Sequence, residues 1–106
     1  MFDYDNTATY DALKGFEKHN TDKAKLHAEI CDKLHSVYIA KNHDYGDSFG
    51  ETFKTLGIIS AVTRIADKTN RLQNLCTKGN KVNESIEDTL MDLANYAIMT
   101  LIELRA

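Results

Sequence analysis

The stretch that decides the fold is Glu84-Ser-Ile-Glu-Asp-Thr-Leu-Met-Asp-Leu-Ala-Asn-Tyr-Ala-Ile98. Its apolar residues recur three and four positions apart, which predicts a long helix. Asp88, Asp92 and Asn95 share one face of this helix, about one turn apart. A carboxylate among apolar residues is costly to desolvate unless a cation, an Arg or Lys side chain or a proton accompanies it. The sequence therefore predicts a divalent-metal or polyphosphate site on this helix.

A solvent-exposed face, or the preference for carboxylates near a helix N-terminus, is the alternative interpretation of these acidic residues. It fits Asp88 well. It fits Asp92 poorly, because apolar residues flank Asp92 in the sequence on both sides.

Two other helical patterns precede this stretch. The first helix begins at Thr21 or Asp22, either of which can cap it. The segment 43–52 contains two glycines and several turn-forming residues and is predicted to be a loop.

The predicted helices span about 21–42, 56–78 and 83–104. Their predicted inward faces are Leu26, Ile30, Leu34 and Val37 or Tyr38 in the first, Ile58, Ile59, Val62, Ile65, Leu72 and Leu75 in the second, and Ile86, Leu90, Leu93, Ala97 and Leu101 in the third.

No strand pattern competes with these helices, so the predicted fold class is all-α, as a bundle of three or four helices. The 106 residues are predicted to form a single domain, with a helical core over 20–106 and an N-terminal arm or short helix over 1–19. A chain of this length buries only about two-thirds of its unfolded surface. Its stability is therefore expected to be modest or shared with a partner subunit.

Composition argues against several classes of protein. The formal net charge of −3 argues against direct nucleic-acid binding, which normally needs a basic surface. No apolar run is long enough for a membrane span, so no membrane partner is expected. Cys31 and Cys76 lack metal-binding spacing and are predicted to be reduced, buried thiols in a cytoplasmic protein.

Cations lie along the second helix in the segment 64–71. Arg64, Asp67 or Lys68, and Arg71 share a side because their spacing is three to four. The alternative is an exposed face whose charges pair with one another. If this side meets the acidic residues of the third helix, carboxylates for Mg²⁺ face cations for phosphate oxygens.

The segment 41–50 supplies further polar and aromatic groups. Tyr45 or Phe49 can stack on a base, while Lys41, Asp44 and the backbone amides near Gly46 can contact a sugar or a phosphate. The alternative is a glycine turn whose aromatic side chains fill the core.

Three segments, 41–49, 64–72 and 87–98, together and in this order resemble the nucleotide-modification-associated domain 1 family. These short proteins are frequent in phages and are thought to be distant relatives of the MazG-like nucleotide pyrophosphohydrolases. The resemblance covers about residues 35–104. It implies a MazG-like all-α fold, self-association into dimers or tetramers, and a nucleotide ligand with Mg²⁺. In a phage-encoded protein, the cytoplasm would be that of the host.

Carried over by position, the resemblance implies Asp88 and Asp92 on the third helix and Asp67 on the second as metal ligands and catalytic residues. The Glu-x-x-Glu pair expected on the second helix of a MazG enzyme is absent. Cations replace it, which favours holding phosphates over activating water. The candidate ligand-binding residues are Lys41, Asp44, Tyr45, Arg64, Lys68, Arg71, Asn95 and Tyr96.

Three functions compete at this point. The first is an Mg²⁺-dependent nucleoside triphosphate pyrophosphohydrolase or a related nucleotide-processing enzyme. The second is a non-catalytic protein that sequesters a nucleotide or a nucleotide signal, or presents a nucleotide to another enzyme. The third is a helical assembly domain without a ligand. In the first two, the site is predicted between the second and third helices, near a subunit interface.

Overall fold

The computed structural model describes residues 18–78 and 83–106, which contain four α-helices and no strand. The helices are α1 (Lys18–Tyr45), α2 (Ser48–Leu56), α3 (Ile58–Thr77) and α4 (Asn83–Arg105). The predicted all-α class is therefore confirmed. Of the predicted N-terminal arm, residues 1–17 lie outside the described residues. The first helix begins at Lys18, earlier than the start predicted at Thr21 or Asp22.

The chain divides within α1 into two compact units, Met1–Lys33 and Leu34–Ala106. In the first unit, the structure describes residues 18–33, where the predicted inward residues Leu26 and Ile30 are exposed. The second unit contains the end of α1 together with α2, α3 and α4. In that unit α3 packs against both α2 and α4.

The segment 43–52, predicted to be a loop, is mostly helical. Helix α1 continues to Tyr45, and only Gly46 and Asp47 separate it from α2. Gly46 has φ 68°, a conformation that glycine adopts at little cost. Asp47 then caps α2, because its Oδ1 accepts a hydrogen bond from the Gly50 amide at 3.2 Å. The turn-forming residues thus mark the end of one helix and the start of the next.

The Asp47 side chain lies so close to buried Gly50 that the effect of Gly50→Ala on stability should depend on whether Asp47 is present. A Cβ at Gly50 would lie 2.5 Å from Oδ2 of Asp47, so Gly50→Ala displaces the cap. Losing the cap lowers the free energy of unfolding by roughly 0.5–2 kcal/mol. This loss offsets the roughly 0.5–1 kcal/mol of stability that alanine contributes over glycine in a helix. In an Asp47→Ala background only the gain remains. We expect chemical denaturation to show Gly50→Ala stabilising that background and not the wild type. Stabilisation of both by the same amount would contradict this account.

Gly57 separates α2 from α3 and explains why α3 begins at Ile58, later than the predicted start near residue 56. Its φ of 77° breaks the helix, and its amide donates to the Phe53 carbonyl at 2.7 Å to close α2. Its carbonyl accepts the Ser60 hydroxyl at 2.8 Å at the start of α3. The predicted helix over 56–78 therefore begins at Ile58, and the predicted helix over 83–104 matches α4 closely.

Helix α4 turns its polar side toward the other helices. Thr89 is only 2% exposed, and Asp92 and Tyr96 are half-buried. In contrast, Leu90 is 46% and Leu101 is 52% exposed. Of the predicted inward face, Ile86 and Leu93 are half-buried, while Leu90, Ala97 and Leu101 are exposed, so that prediction was wrong for most of the helix. The reason is that α3 presents polar and cationic side chains to α4, and these select the polar side of α4.

The buried apolar core of the described residues is small. Leu34 is buried as predicted, and Ala61 is buried where α3 packs against its neighbours. The predicted inward residues of α3 divide into a half-buried and an exposed group. Ile65, Leu72 and Leu75 are half-buried, and Ile58, Ile59 and Val62 are exposed. Within one chain, much of the apolar surface therefore has no cover in the described part of the structure.

Two further expectations concern compartment and membrane. None of the described helices is long and apolar enough to cross a membrane. Cys31 and Cys76 are free thiols, but both are exposed, so the predicted burial was wrong. Each lies on a helix face that the rest of the described chain leaves uncovered.

Candidate functional site

A cavity of about 300 Å³ lies among the end of α1, the start of α2 and the facing sides of α3 and α4. We call it the aromatic cavity. Its lining residues are Tyr38, Lys41, Asn42, Tyr45, Gly46, Asp47, Ser48, Phe49, Arg64, Asp92, Asn95, Tyr96 and Met99. Four aromatic rings in one lining suit a flat, unsaturated ligand.

A second surface cavity, of about 350 Å³, is lined by Arg64, Asp67, Lys68, Arg71 and Tyr96. We call it the cationic cavity. It has three cations and one carboxylate, and so favours an anion. Guanidinium groups form paired hydrogen bonds with phosphate oxygens, and an ammonium adds a compact charge.

Arg64 and Tyr96 line both cavities. The Arg64 guanidinium carbon lies 6.0 Å from the centre of the Tyr96 ring, at the outer limit of a cation–π contact. The Tyr96 ring also stacks with Phe49, with 5.9 Å between centroids and 26° between planes. Tyr96 therefore contacts both an aromatic ring of the aromatic cavity, Phe49, and a cation of the cationic cavity, Arg64.

Asp92 bridges two lysines from different helices. Its Oδ1 accepts from Nζ of Lys41 on α1 at 3.2 Å, and its Oδ2 accepts from Nζ of Lys68 on α3 at 3.0 Å. The side chains of Asp92 and Lys68 are 29% and 27% exposed, so this bridge is only partly open to solvent. Burial alone raises the pKa of Asp92, but the two ammonium groups outweigh it and bring the pKa below its ordinary value.

Two more hydrogen bonds hold α4 in this arrangement. Nε of Arg71 donates to the hydroxyl of buried Thr89 at 3.3 Å, which orients the guanidinium group. Nδ2 of Asn95 donates to the backbone carbonyl of Leu34 at 3.2 Å, which fixes α4 against the end of α1. The site is thus positioned by polar contacts rather than by a large apolar core.

Most of the predicted site residues are brought together. Lys41, Tyr45, Arg64, Asp92, Asn95 and Tyr96 line the aromatic cavity, and Asp67, Lys68 and Arg71, together with Arg64 and Tyr96, line the cationic cavity. Asp44 and Asp88 line neither cavity. Asp44 is exposed and lies 3.3 Å from Nδ1 of the neighbouring His43, and Asp88 is exposed on α4.

The three aspartates predicted to bind Mg²⁺ do not form one cluster. In the described part of the chain, no three His, Cys, Asp or Glu side chains are placed to hold a metal ion together. Both oxygens of Asp92 accept from lysines, Asp67 lies among cations, and Asp88 is on the surface. These residues do not fit an Mg²⁺ site built by one chain in this arrangement, and Mg²⁺ binding stays a prediction.

The predicted set of site residues lacks several lining residues, among them Tyr38, Asn42 and Met99. The sequence pattern offers Val37 or Tyr38 for the inward face of the first helix and does not indicate a ligand contact. Extending that helix to Tyr45 places Tyr38, Asn42 and Tyr45 four and three residues apart, on one face. The signal was present in the sequence, but the turn-forming residues after it masked the continuation of the helix.

Residues 41–104 match the model of a family described as nucleotide modification associated domain 1. The match begins at Lys41 and so covers nearly all of both cavity linings. No curated protein and no solved structure matches the chain.

Proposed function

Since the chain belongs to the nucleotide modification associated domain 1 family, we propose that the aromatic and cationic cavities together bind one nucleotide. The observation that carries this proposal is that Arg64 and Tyr96 line both cavities. An aromatic surface therefore adjoins a group of cations. A nucleotide joins the matching parts, a flat base and an anionic phosphate, in one molecule.

Tyr45 is the ring best placed to stack on the base. It is 74% exposed and lines the aromatic cavity, whereas Phe49 already stacks on Tyr96. Stacking of a base on an aromatic side chain contributes about 1–3 kcal/mol. It tolerates any base, because every base has a π-face, so the site recognises the nucleotide class before it recognises the base.

Tyr45→Ala is expected to weaken nucleotide binding roughly 5- to 30-fold, corresponding to about 1–2 kcal/mol of lost stacking. Tyr45→Phe keeps the ring and is expected to bind as the wild type does. Isothermal titration calorimetry with deoxynucleoside 5′-monophosphates measures both. Equal affinities of wild type and Tyr45→Ala would remove this ring from the proposed site.

We propose binding rather than hydrolysis as the primary activity. Hydrolysis by the family-type mechanism needs carboxylates grouped around metal ions. Asp92 is instead paired with two lysines, and Asp67 is exposed and shares its cavity lining with three cations. The excess positive charge stabilises a bound phosphate, whereas the single carboxylate of the cationic cavity does not form the grouped set that metal-assisted hydrolysis needs.

One experiment tests this function against its competitors. The wild-type protein is titrated with the four common deoxynucleoside 5′-monophosphates and their triphosphates, with and without Mg²⁺, and the mixtures are followed by ³¹P NMR. Binding with an unchanged phosphorus spectrum supports the proposal. Release of pyrophosphate and monophosphate, abolished by Asp88→Asn or Asp92→Asn, would identify the pyrophosphohydrolase instead. Absence of any binding would leave a helical assembly domain.

We further propose that the chain forms a homo-oligomer in which α4 packs against α4 of a second copy. The exposed residues Leu90, Ile98, Leu101 and Leu104 give α4 an apolar side that its own chain leaves open. About half of each side chain is still exposed, and burying that half contributes roughly 0.7–1.5 kcal/mol per residue. A two-fold interface pairs a patch with itself, and an uncharged patch is compatible with its own copy.

The proposed place of action is the cytoplasm. Both cysteines are free, exposed thiols. Disulfides form and persist in oxidising compartments, whereas thiols persist in reducing ones. A nucleotide ligand supports the same location.

A further inference from the structure

The bridge of Lys41, Asp92 and Lys68 lies at the boundary between the two cavities. Asp92 and Lys41 line the aromatic cavity, and Lys68 lines the cationic cavity. The bridge therefore has members in both linings, and a ligand that extends from one cavity into the other would lie close to it. The bridge holds two ammonium groups and one carboxylate, an excess of one positive charge.

We propose that the Asp92 carboxylate is an internal counter-anion, which keeps Lys41 and Lys68 in place and yields to a ligand phosphate when that phosphate binds. This inference rests on the proposed nucleotide-binding function and names the group that sets its preference for phosphate. A carboxylate offers two oxygens and one negative charge. A phosphate monoester offers three free oxygens and up to two charges, and so neutralises both ammonium groups.

The geometry provides the means for this exchange. Asp92 meets each lysine through a different oxygen, at 3.2 and 3.0 Å, so neither ammonium is held by a paired contact. The Lys41 side chain is largely exposed and can follow an incoming anion. Asp92 is part of α4, which Asn95 and Thr89 anchor separately, so displacement of the carboxylate does not release the helix.

This role has the opposite consequence from a metal-binding role. If Asp92 binds Mg²⁺, its neutralisation weakens the binding of a nucleotide with Mg²⁺. If Asp92 is a competing anion, its neutralisation strengthens phosphate binding. Removal of one charge about 6 Å from a phosphate dianion in a water-like dielectric favours binding roughly tenfold.

The test compares Asp92→Asn with wild type by calorimetry without metal, using deoxynucleoside 5′-monophosphates, the unphosphorylated deoxynucleosides and inorganic phosphate. We expect roughly tenfold tighter monophosphate binding, unchanged deoxynucleoside binding, and a gain that shrinks with added salt. Glu87→Gln removes the same charge at an exposed position of α4 outside both cavities and is expected to change nothing. Lys41→Gln, at an exposed position, is expected to weaken monophosphate binding and to spare the deoxynucleosides.

Each outcome is decisive. Weaker or unchanged monophosphate binding by Asp92→Asn overturns the inference and leaves the proposed function standing if wild type binds nucleotides. If Asp92→Asn misfolds, unchanged monophosphate binding by Lys41→Gln overturns the inference. If wild type binds no nucleotide while Asp92→Asn binds inorganic phosphate more tightly, the proposed function fails and the counter-anion role is supported.

Discussion

Leu101→Asp is expected to separate the copies of the chain. Leu101 is 52% exposed on the apolar side of α4, where we propose that a second copy packs. About half of the side chain is already buried within its own chain, so losing the interface burial removes roughly 0.8–1.5 kcal/mol per copy. A two-fold interface counts the loss twice, so the dimer dissociation constant rises by a factor of roughly 15 to 150. The carboxylate adds a desolvation penalty to that loss.

Light scattering coupled to size-exclusion chromatography measures this effect. Wild type is expected at a multiple of the 12.0 kDa chain mass, and Leu101→Asp at the chain mass itself. Asn74→Asp adds the same charge at an exposed polar position of α3 and serves as the matched control. A wild type of 12.0 kDa at micromolar concentration would contradict the proposed assembly.

Arg64→Gln is expected to cause the largest loss of nucleotide binding of any single substitution in the site. Arg64 lines both cavities and lies beside the Tyr96 ring. It can therefore donate hydrogen bonds to a ligand phosphate and also keep the Tyr96 ring in position. A hydrogen bond to a charged group contributes about 1.5–3 kcal/mol, or roughly 10- to 150-fold in affinity. Arg64→Lys keeps the charge without the planar fork and is expected to recover only part of the loss.

Calorimetry with deoxynucleoside 5′-monophosphates and with the unphosphorylated deoxynucleosides separates the two contributions of Arg64. A loss of affinity confined to the monophosphates assigns Arg64 to phosphate binding. An equal loss of affinity for monophosphates and deoxynucleosides assigns it to positioning of the Tyr96 ring. Arg105→Gln removes the same charge at an exposed position in the last turn of α4 and is the control. Wild-type affinity of Arg64→Gln for every ligand would contradict the proposed site.

Local patterns in the sequence were sufficient to predict the long helices and the cations of α3. The spacing of Arg64, Lys68 and Arg71 placed them on one side of a helix, and they line one cavity. The same reasoning could not identify the partner of Asp92. A carboxylate in an apolar stretch needs a cation, and the sequence predicted Mg²⁺. The structure instead supplies Lys41, which lies 51 positions away along the chain and was out of reach of local patterns.

Two further failures have physical causes. Helix α2 was missed because Gly46 and Gly50 suggest a loop, whereas one ends α1 and the other lies beneath the Asp47 cap. The orientation of α4 was mistaken because periodicity defines an apolar side without saying what covers it. Here the polar contacts of Thr89 and Asp92 turn that side away from the rest of its own chain.

The hydrogen bonds that fix α4 differ widely in sequence separation, and this determines the order in which they can form. The bond between Arg71 and Thr89 spans 18 positions, whereas that between Asn95 and Leu34 spans 61. Closing a longer loop costs more chain entropy before any contact compensates for it. We therefore expect α3 and α4 to pair during folding before the end of α1 docks. On this expectation the cationic cavity, lined by α3 and α4 alone, forms before the aromatic cavity, which also needs α1 and α2.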